Sequence, residues 1–145
     1  MPRQRGDWRA GRMIGGLTVN RFVIPARLPG LNEVIEANRS GWRVGAALKK
    51  DTETLIRLAI RAAKGRGECW PVSGPCAVHL EWQERNRLRD LDNIFSGVKF
   101  VLDAMKSEGL IRNDSQRYVQ GITHQFQVGE TDRVTITIEL LEGKQ

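Results

Sequence analysis

The sequence predicts a single α+β domain, with elements in the order β-α-β-α-β-β and one mixed or antiparallel sheet packed with two helices. Two observations support this prediction. Segments that alternate between apolar and polar residues occur near both ends and at the centre of the chain, and two segments between them have helical spacing. The length of 145 residues fits one compact domain and leaves no room for a second sizeable one.

The N-terminal half of the chain predicts an arm, a strand, a loop and a helix. Residues 1–16 are basic and glycine-rich and lack the apolar centre of a secretory signal, so we expect a flexible basic arm before a domain of residues 17–145. Residues 17–25 alternate and are β-rich, which predicts the first strand. Residues 26–41 contain many turn-forming residues and predict a long loop. Residues 42–64 have apolar positions three and four apart and predict a helix.

The C-terminal half predicts three strands and a second helix. Residues 76–85 alternate and predict a strand with one dry face. A helix is expected from about residue 93 to about residue 108, where a glycine follows. Residues 117–127 and 133–141 predict the last two strands, and residues 129–132 are typical of a hairpin turn between them.

Charge and composition limit the classes of function. Twenty-three Lys and Arg residues oppose seventeen Asp and Glu residues, which gives a net charge of +6, and such a field attracts polyanions. No apolar run approaches the roughly 20 residues that span a bilayer, so we expect a cytoplasmic protein without a membrane partner. Cys69 and Cys76 do not have zinc spacing, and with two histidines elsewhere they do not form a plausible Cys/His metal site.

Two acidic residues interrupt this basic trend. Asp90 and Asp92 are two positions apart after the central strand, and they point the same way if the strand persists. Two neighbouring carboxylates repel each other unless a cation lies between them, and Mg²⁺ prefers such oxygen ligands. The structural alternative is that Asp92 caps the following helix, which accounts for one of the two carboxylates but not for the pair.

Asp114 is the third acid, and it follows the second helix. It can reach Asp92 if the next strand pairs antiparallel with the strand of residues 76–85. The alternative is an Asx turn made by Asp114 at the start of a strand. Lys99 and Asp103 lie four apart on the polar side of the helix, where they are either part of the same site or an ordinary surface ion pair.

Three carboxylates and a lysine within a basic protein describe a site for phosphodiester chemistry. Arginines would hold the phosphates, a metal ion would polarise the scissile phosphate and activate water, and the lysine would offset developing charge. The arginines nearest to the acids in sequence are Arg85, Arg87, Arg89 and Arg112.

Four segments together resemble the RusA family of Holliday junction resolvases, particularly its phage and prophage members. They are Leu28-Pro-Gly-Leu-Asn32-Glu33, Arg89-Asp-Leu-Asp-Asn93, Lys99-Phe-Val-Leu-Asp103-Ala104 and Gly109-Leu-Ile-Arg-Asn-Asp-Ser-Gln116, and the resemblance extends over roughly residues 18–141. It implies a homodimer that binds four-way or branched DNA in recombination and repair and cuts symmetrically related strands with Mg²⁺ or Mn²⁺.

The resemblance also implies roles for single residues. The essential aspartates of the family, which would hold the metal, match Asp90, Asp92 and Asp114, and its essential lysine matches Lys99. Asp103 and Asn113 would have supporting roles.

The chain departs from the family at two positions. Shorter members have their lysine where this chain has Ser96, so residues 94–97 contain a three-residue insertion. Asn113 stands where the family usually has a second aspartate. These departures keep open a branched-DNA-binding protein that does not cleave, and a metal-dependent nuclease acting on another DNA structure is a further alternative.

Overall fold

The computed structural model describes residues 19–141, so the predicted arm of residues 1–16 lies outside the described residues. The described chain forms four strands and four helices. The strands are β1 (Asn20–Ile24), β2 (Cys76–Glu84), β3 (Val119–Val128) and β4 (Arg133–Leu140), and the helices are α1 (Leu31–Ser40), α2 (Trp42–Gly65), α3 (Leu91–Phe95) and α4 (Val98–Ser107).

The four strands form one mixed sheet in the order β1-β4-β2-β3. β4 pairs antiparallel with both β1 and β2, whereas β2 pairs parallel with β3. Parallel neighbours require a crossover connection, and α3 and α4 supply it. The α+β prediction with one mixed sheet is therefore confirmed.

Two predicted strand pairings are wrong. β3 and β4 do not form a hairpin, because β2 lies between them, and β3 pairs with β2 in the parallel sense rather than the antiparallel one. Residues 129–132 instead cross the end of β2, where Gly129 N–H donates to the Glu84 carbonyl at 3.0 Å and Gln83 Nε2 donates to the Thr131 carbonyl at 2.8 Å. Four residues suffice for this crossing because neighbouring strands lie only about 5 Å apart.

The predicted loop of residues 26–41 contains a helix, α1. Its start is stabilised by Glu33, whose Oε1 accepts from Gly30 N–H at 3.3 Å. Its end is Gly41, whose positive φ of 138° breaks the chain direction between α1 and α2. The turn-forming residues that suggested a loop therefore mark the two ends of a ten-residue helix.

The predicted helix from about residue 93 to about residue 108 is divided into α3 and α4 at Ser96 and Gly97. Gly97 lies against the sheet, because a Cβ there would be 3.2 Å from Trp82 Cη2 and 3.4 Å from Leu28 Cβ. Both of these neighbours are buried. The predicted insertion of residues 94–97 therefore coincides with the break, and glycine permits the close approach.

The core lies between one face of the sheet and the helices, chiefly α2 and α4. It is formed by alternate strand residues and by the apolar faces of the helices, including Phe22, Ile24, Val78, Leu80, Ile136, Ile56, Ile60, Val101 and Met105. Within residues 19–141, no helix is long and apolar enough to span a bilayer.

The end of α4 is tied to α2 by Glu108. Its carboxylate accepts from Arg57 Nε at 2.8 Å and from Arg61 Nε at 2.9 Å, and its carbonyl accepts from Lys64 Nζ at 2.5 Å. The hydrogen bond from Arg61 is the main reason that the pKa of Glu108 is lowered. Both ends of α4 are thus held in place: Gly97 contacts Trp82 at its start, and Glu108 is hydrogen-bonded to α2 at its end.

Replacing Gly97 with valine should destabilise the protein by about 1–3 kcal/mol, because the added atoms would overpack the contact with Trp82 and Leu28. Gly65→Val is the matched control: a Cβ at Gly65 meets nothing within 4 Å, so we expect a change within about 0.5 kcal/mol. Urea unfolding of the three proteins measures both values. Equal losses in the two variants would show that the close approach at Gly97 does not limit stability.

Candidate active site

Asp90 and Asp92 lie at the start of α3. β2 ends at Glu84, so a short helix, rather than the alternation of a strand, sets their directions. Asp90, not Asp92, occupies the N-cap position, and its side chain makes no capping hydrogen bond. Both residues are exposed, and neither forms an ion pair with another residue in the described range 19–141. Asp92 Oδ1 accepts from Asn93 N–H at 3.0 Å, so a contact with the start of the helix accounts for Asp92 but not for Asp90.

A buried ion pair between Glu84 and Arg89 precedes the aspartate pair. Arg89 donates through Nε to Glu84 Oε1 at 3.0 Å and through Nη2 to Glu84 Oε2, and the two side chains are only 11% and 9% exposed. Arg89 also donates to the Leu28 carbonyl at 3.2 Å. The guanidinium that was predicted to hold a phosphate is thus hydrogen-bonded inside the protein, where it stabilises the loop between β2 and α3.

Glu84 was not singled out from the sequence, although a signal for it exists. It continues the alternation of Val78, Leu80 and Trp82, so a carboxylate stands on the dry face of β2. A charged residue on a buried strand face requires a partner of opposite charge. Arg89, five residues later, is that partner.

Asn93 was part of the motif but had no predicted role. Its Oδ1 accepts from Asn32 N–H at 3.1 Å, and any Cβ at Gly30 would collide with the Asn93 amide. The beginning of α1 is thereby docked onto α3. Residues 28–33 and 89–93 are two of the four segments that resemble the RusA family, and this contact joins them in the structure.

Lys99, Asp103 and Asp114 form a second group, which we call the lysine cluster. Lys99 Nζ lies 2.9 Å from Asp103 Oδ1 and 3.5 Å from Asp114 Oδ2. Its pKa is raised, mainly by the hydrogen bond to Asp103, so the amine is protonated at neutral pH. The loop after α4 thus returns Asp114 to the beginning of that helix, even though β3 is parallel to β2.

Asn113 shapes the loop that carries Asp114. Its Oδ1 accepts from the N–H groups of Asp114 at 2.7 Å and Ser115 at 3.2 Å, which is the pattern of an Asx turn. The turn role considered for Asp114 therefore belongs to Asn113. The carboxylate of Asp114 is left to contact Lys99.

Asp90, from the aspartate pair, and two members of the lysine cluster line different cavities. Asp90 borders a cavity with Trp82 and Phe126, whereas Lys99 and Asp103 border another. Across residues 19–141, no three His, Cys, Asp or Glu side chains lie close enough to hold a metal ion. The single chain therefore brings Lys99, Asp103 and Asp114 together but does not gather all three predicted metal ligands into one cluster.

Three of the four predicted phosphate-binding arginines are exposed. Arg87 and Arg112 form no ion pair with a residue of the described chain, and Arg85 lies at the surface with its Nε 3.8 Å from Asp132 Oδ2. Arg85 also has its backbone N–H bonded to the same carboxylate at 3.1 Å. These side chains are accessible to an anionic ligand, in contrast to Arg89.

An aromatic group lies next to the aspartate pair, and His124 is at its centre. Trp82 Nε1 donates to His124 Nδ1 at 2.8 Å, and the rings of Phe95 and Phe126 lie 5.1 and 6.3 Å from that of His124. Because an indole is only a donor, His124 is neutral with its proton on Nε2. Burial lowers the pKa of His124, which agrees with this assignment.

Comparison with known families identifies one match. The family model described as endodeoxyribonuclease RusA matches residues 46–139, a range that contains both the aspartate pair and the lysine cluster. No curated protein sequence matches the chain at a significant level.

Glu84→Gln should destabilise the protein by about 3 kcal/mol, since it leaves the buried Arg89 guanidinium with only the exposed Glu33 carboxylate, 3.9 Å away, as a counter-charge. The control is Glu68→Gln, which removes the partner of Arg66 in an exposed pair and should cost no more than about 1 kcal/mol. Denaturant unfolding at neutral pH compares the two. A loss at Glu84 as small as that at Glu68 would contradict the structural role of the buried pair.

Proposed function

Because the chain belongs to the RusA family of endodeoxyribonucleases, we propose that it resolves Holliday junctions as a Mg²⁺-dependent, structure-selective endonuclease. In this proposal a homodimer binds a four-way or similarly branched DNA and cuts two symmetrically related strands during recombination or repair. The observation that carries it is that the family match includes two exposed aspartates without an ion-pair partner in the described chain.

The aspartate pair suits a magnesium ion. Mg²⁺ is usually held by one or two carboxylates, with waters and substrate phosphates completing its coordination, and Asp90 and Asp92 offer two such groups at the surface. A bound Mg²⁺ or Mn²⁺ would polarise the scissile phosphate and activate a water molecule. The family pattern adds Asp114 as a third carboxylate, although the single chain places it beside Lys99 and not in one cluster with Asp90 and Asp92.

The lysine cluster supports the role of Lys99 in charge stabilisation. A lysine that stays protonated next to a reacting phosphate offsets the negative charge that develops there. Asp103 would position the amine through the 2.9 Å contact, and Asn113 would hold the loop that presents Asp114. These two residues are therefore positioning residues in the proposal.

The exposed arginines provide the proposed DNA contacts. Arg85, Arg87 and Arg112 would hold phosphates on either side of the cleaved bond, in a protein whose net charge of +6 attracts DNA. Arg89 has a different proposed role, because its guanidinium is bonded to Glu84 and orients the segment that carries Asp90.

Asp92→Asn should lower cleavage of a labelled four-way junction by at least about 100-fold while junction binding is kept. Even partners in the outer shell of a metal cost about 10–100-fold when mutated, so loss of a ligand should exceed that range. Asp51→Asn, at an exposed acid on α2, is the matched control and should cleave at the parental rate. Rates are measured with Mg²⁺, with Mn²⁺ and with a chelator.

The same assay separates the alternatives. Cleavage by Asp92→Asn at the parental rate would contradict the proposed metal site. Binding of junctions without cleavage under either metal would indicate a branched-DNA-binding protein, and faster cleavage of forked or linear DNA would indicate a nuclease with another substrate.

The protein should sediment as a dimer at micromolar concentration. Two cuts related by a two-fold axis require two copies of the acidic residues, which a symmetric dimer supplies. Analytical ultracentrifugation over a range of concentrations measures the association. A stable monomer throughout that range would count against paired cleavage.

A further inference from the structure

A cavity of about 270 Å³ lies between α3 and the ends of β2 and β3, and we call it the α3 cavity. Its apolar wall includes Trp82, Phe126, Leu91 and Ile94, and Asp90 lies on its border. The volume is slightly below the roughly 300–1,000 Å³ typical of small-molecule sites, which suits a single flat ring system. The α3 cavity is therefore a small recess beside the aspartate pair, with one apolar wall and a remainder lined by polar side chains that include Glu84, Arg89 and Gln127.

The wall on the sheet side is aromatic and held in place. Trp82 is fixed by its hydrogen bond to His124 and by the backbone of Gly97. Phe126 stacks on His124 and is only partly buried, and this member of the aromatic group lines the cavity. A flat aromatic ligand in the cavity would extend this stack.

The border of the cavity is polar and charged. Arg87 is exposed there, and Asn86 Oδ1 accepts from Leu88 N–H at 3.0 Å, which leaves the side-chain amide nitrogen of Asn86 as a donor. A donor of this kind suits the edge of a base, and a guanidinium suits the adjoining phosphate. A protein partner is disfavoured because Asp90 lies on the border of the cavity, and aspartate is depleted from the cores of protein interfaces.

We propose that the α3 cavity receives a nucleobase displaced from the DNA stack next to the scissile phosphate, and that Phe126 stacks on this base. This inference rests on the proposed function, which places the reacting phosphate at Asp90. Displacing a base from the stack costs least where its pairing is already disturbed. Occupation of the cavity would then help to select which phosphodiester bond reaches the aspartate pair.

The test combines protein variants with abasic DNA. Four-way junctions with one symmetric pair of abasic nucleotides, moved stepwise through the positions around the branch point, are titrated without divalent metal so that they stay uncut. The wild type should lose about tenfold in affinity at one position, because stacking of one base contributes an effect of that order. Phe126→Ala should bind the intact junction about tenfold more weakly and show no further loss at that position.

Two further variants complete the design. Phe126→Leu keeps an apolar side chain in place of the ring, so it remains informative if the alanine variant does not fold, and its abasic penalty should be smaller than that of the wild type. Trp42→Ala removes an aromatic residue that is 76% exposed on α2, and it should keep both the wild-type affinity and the full penalty.

Four results would overturn the inference. The inference fails if both Phe126 variants lose as much affinity on abasic junctions as the wild type does. It also fails if the wild type cleaves junctions but loses affinity at no abasic position. Both results leave the proposed function intact. Conversion of a dimer to a monomer by Phe126→Ala would assign the cavity to a subunit interface instead. A wild type that neither binds nor cuts branched DNA would overturn both proposals.

Discussion

The buried ion pair between Glu84 and Arg89 connects the parts of the structure that form the site. Removing two charges from water is costly, and only close mutual pairing with further hydrogen bonds offsets that cost. Arg89 meets this requirement by bonding Glu84 at the end of β2 and the carbonyl of Leu28 before α1. The segment that begins with Arg89 is therefore held at one place on the sheet, and Asp90 follows it into solvent at the start of α3.

The parallel pairing of β2 and β3 determines where the other site residues lie. A parallel pair requires a crossover, and here the crossover is the pair of helices α3 and α4. The crossover carries Lys99 and Asp103, and the loop that follows it brings Asp114 within 3.5 Å of Lys99. The site residues thus come from one continuous β-α-β segment, which is also the central part of the family match.

The insertion predicted before Lys99 coincides with a break between two helices. In a continuous helix, three extra residues would turn the lysine by about 300° around the helix axis, which leaves it roughly 60° away from its original direction. The chain instead ends α3 at Phe95 and starts α4 at Val98, with Gly97 against Trp82. Lys99 keeps its four-residue spacing to Asp103 in a new helix. That Lys99 takes the place of the family lysine stays a prediction.

The sequence by itself determined the fold class, all four strands, α2 and the family, because alternation, helical spacing and ordered motifs are local properties. The resemblance to the RusA family was confirmed by the family model. Only the tertiary structure decided α1, because the start of this helix is hydrogen-bonded to Asn93, sixty-one residues away from Asn32. Only the tertiary structure decided the strand order as well, in which β2 separates β3 from β4. It also changed the role of Arg89 and joined Asp114 to Lys99. These features arise from long-range pairing of charges and backbone groups, which no local pattern encodes.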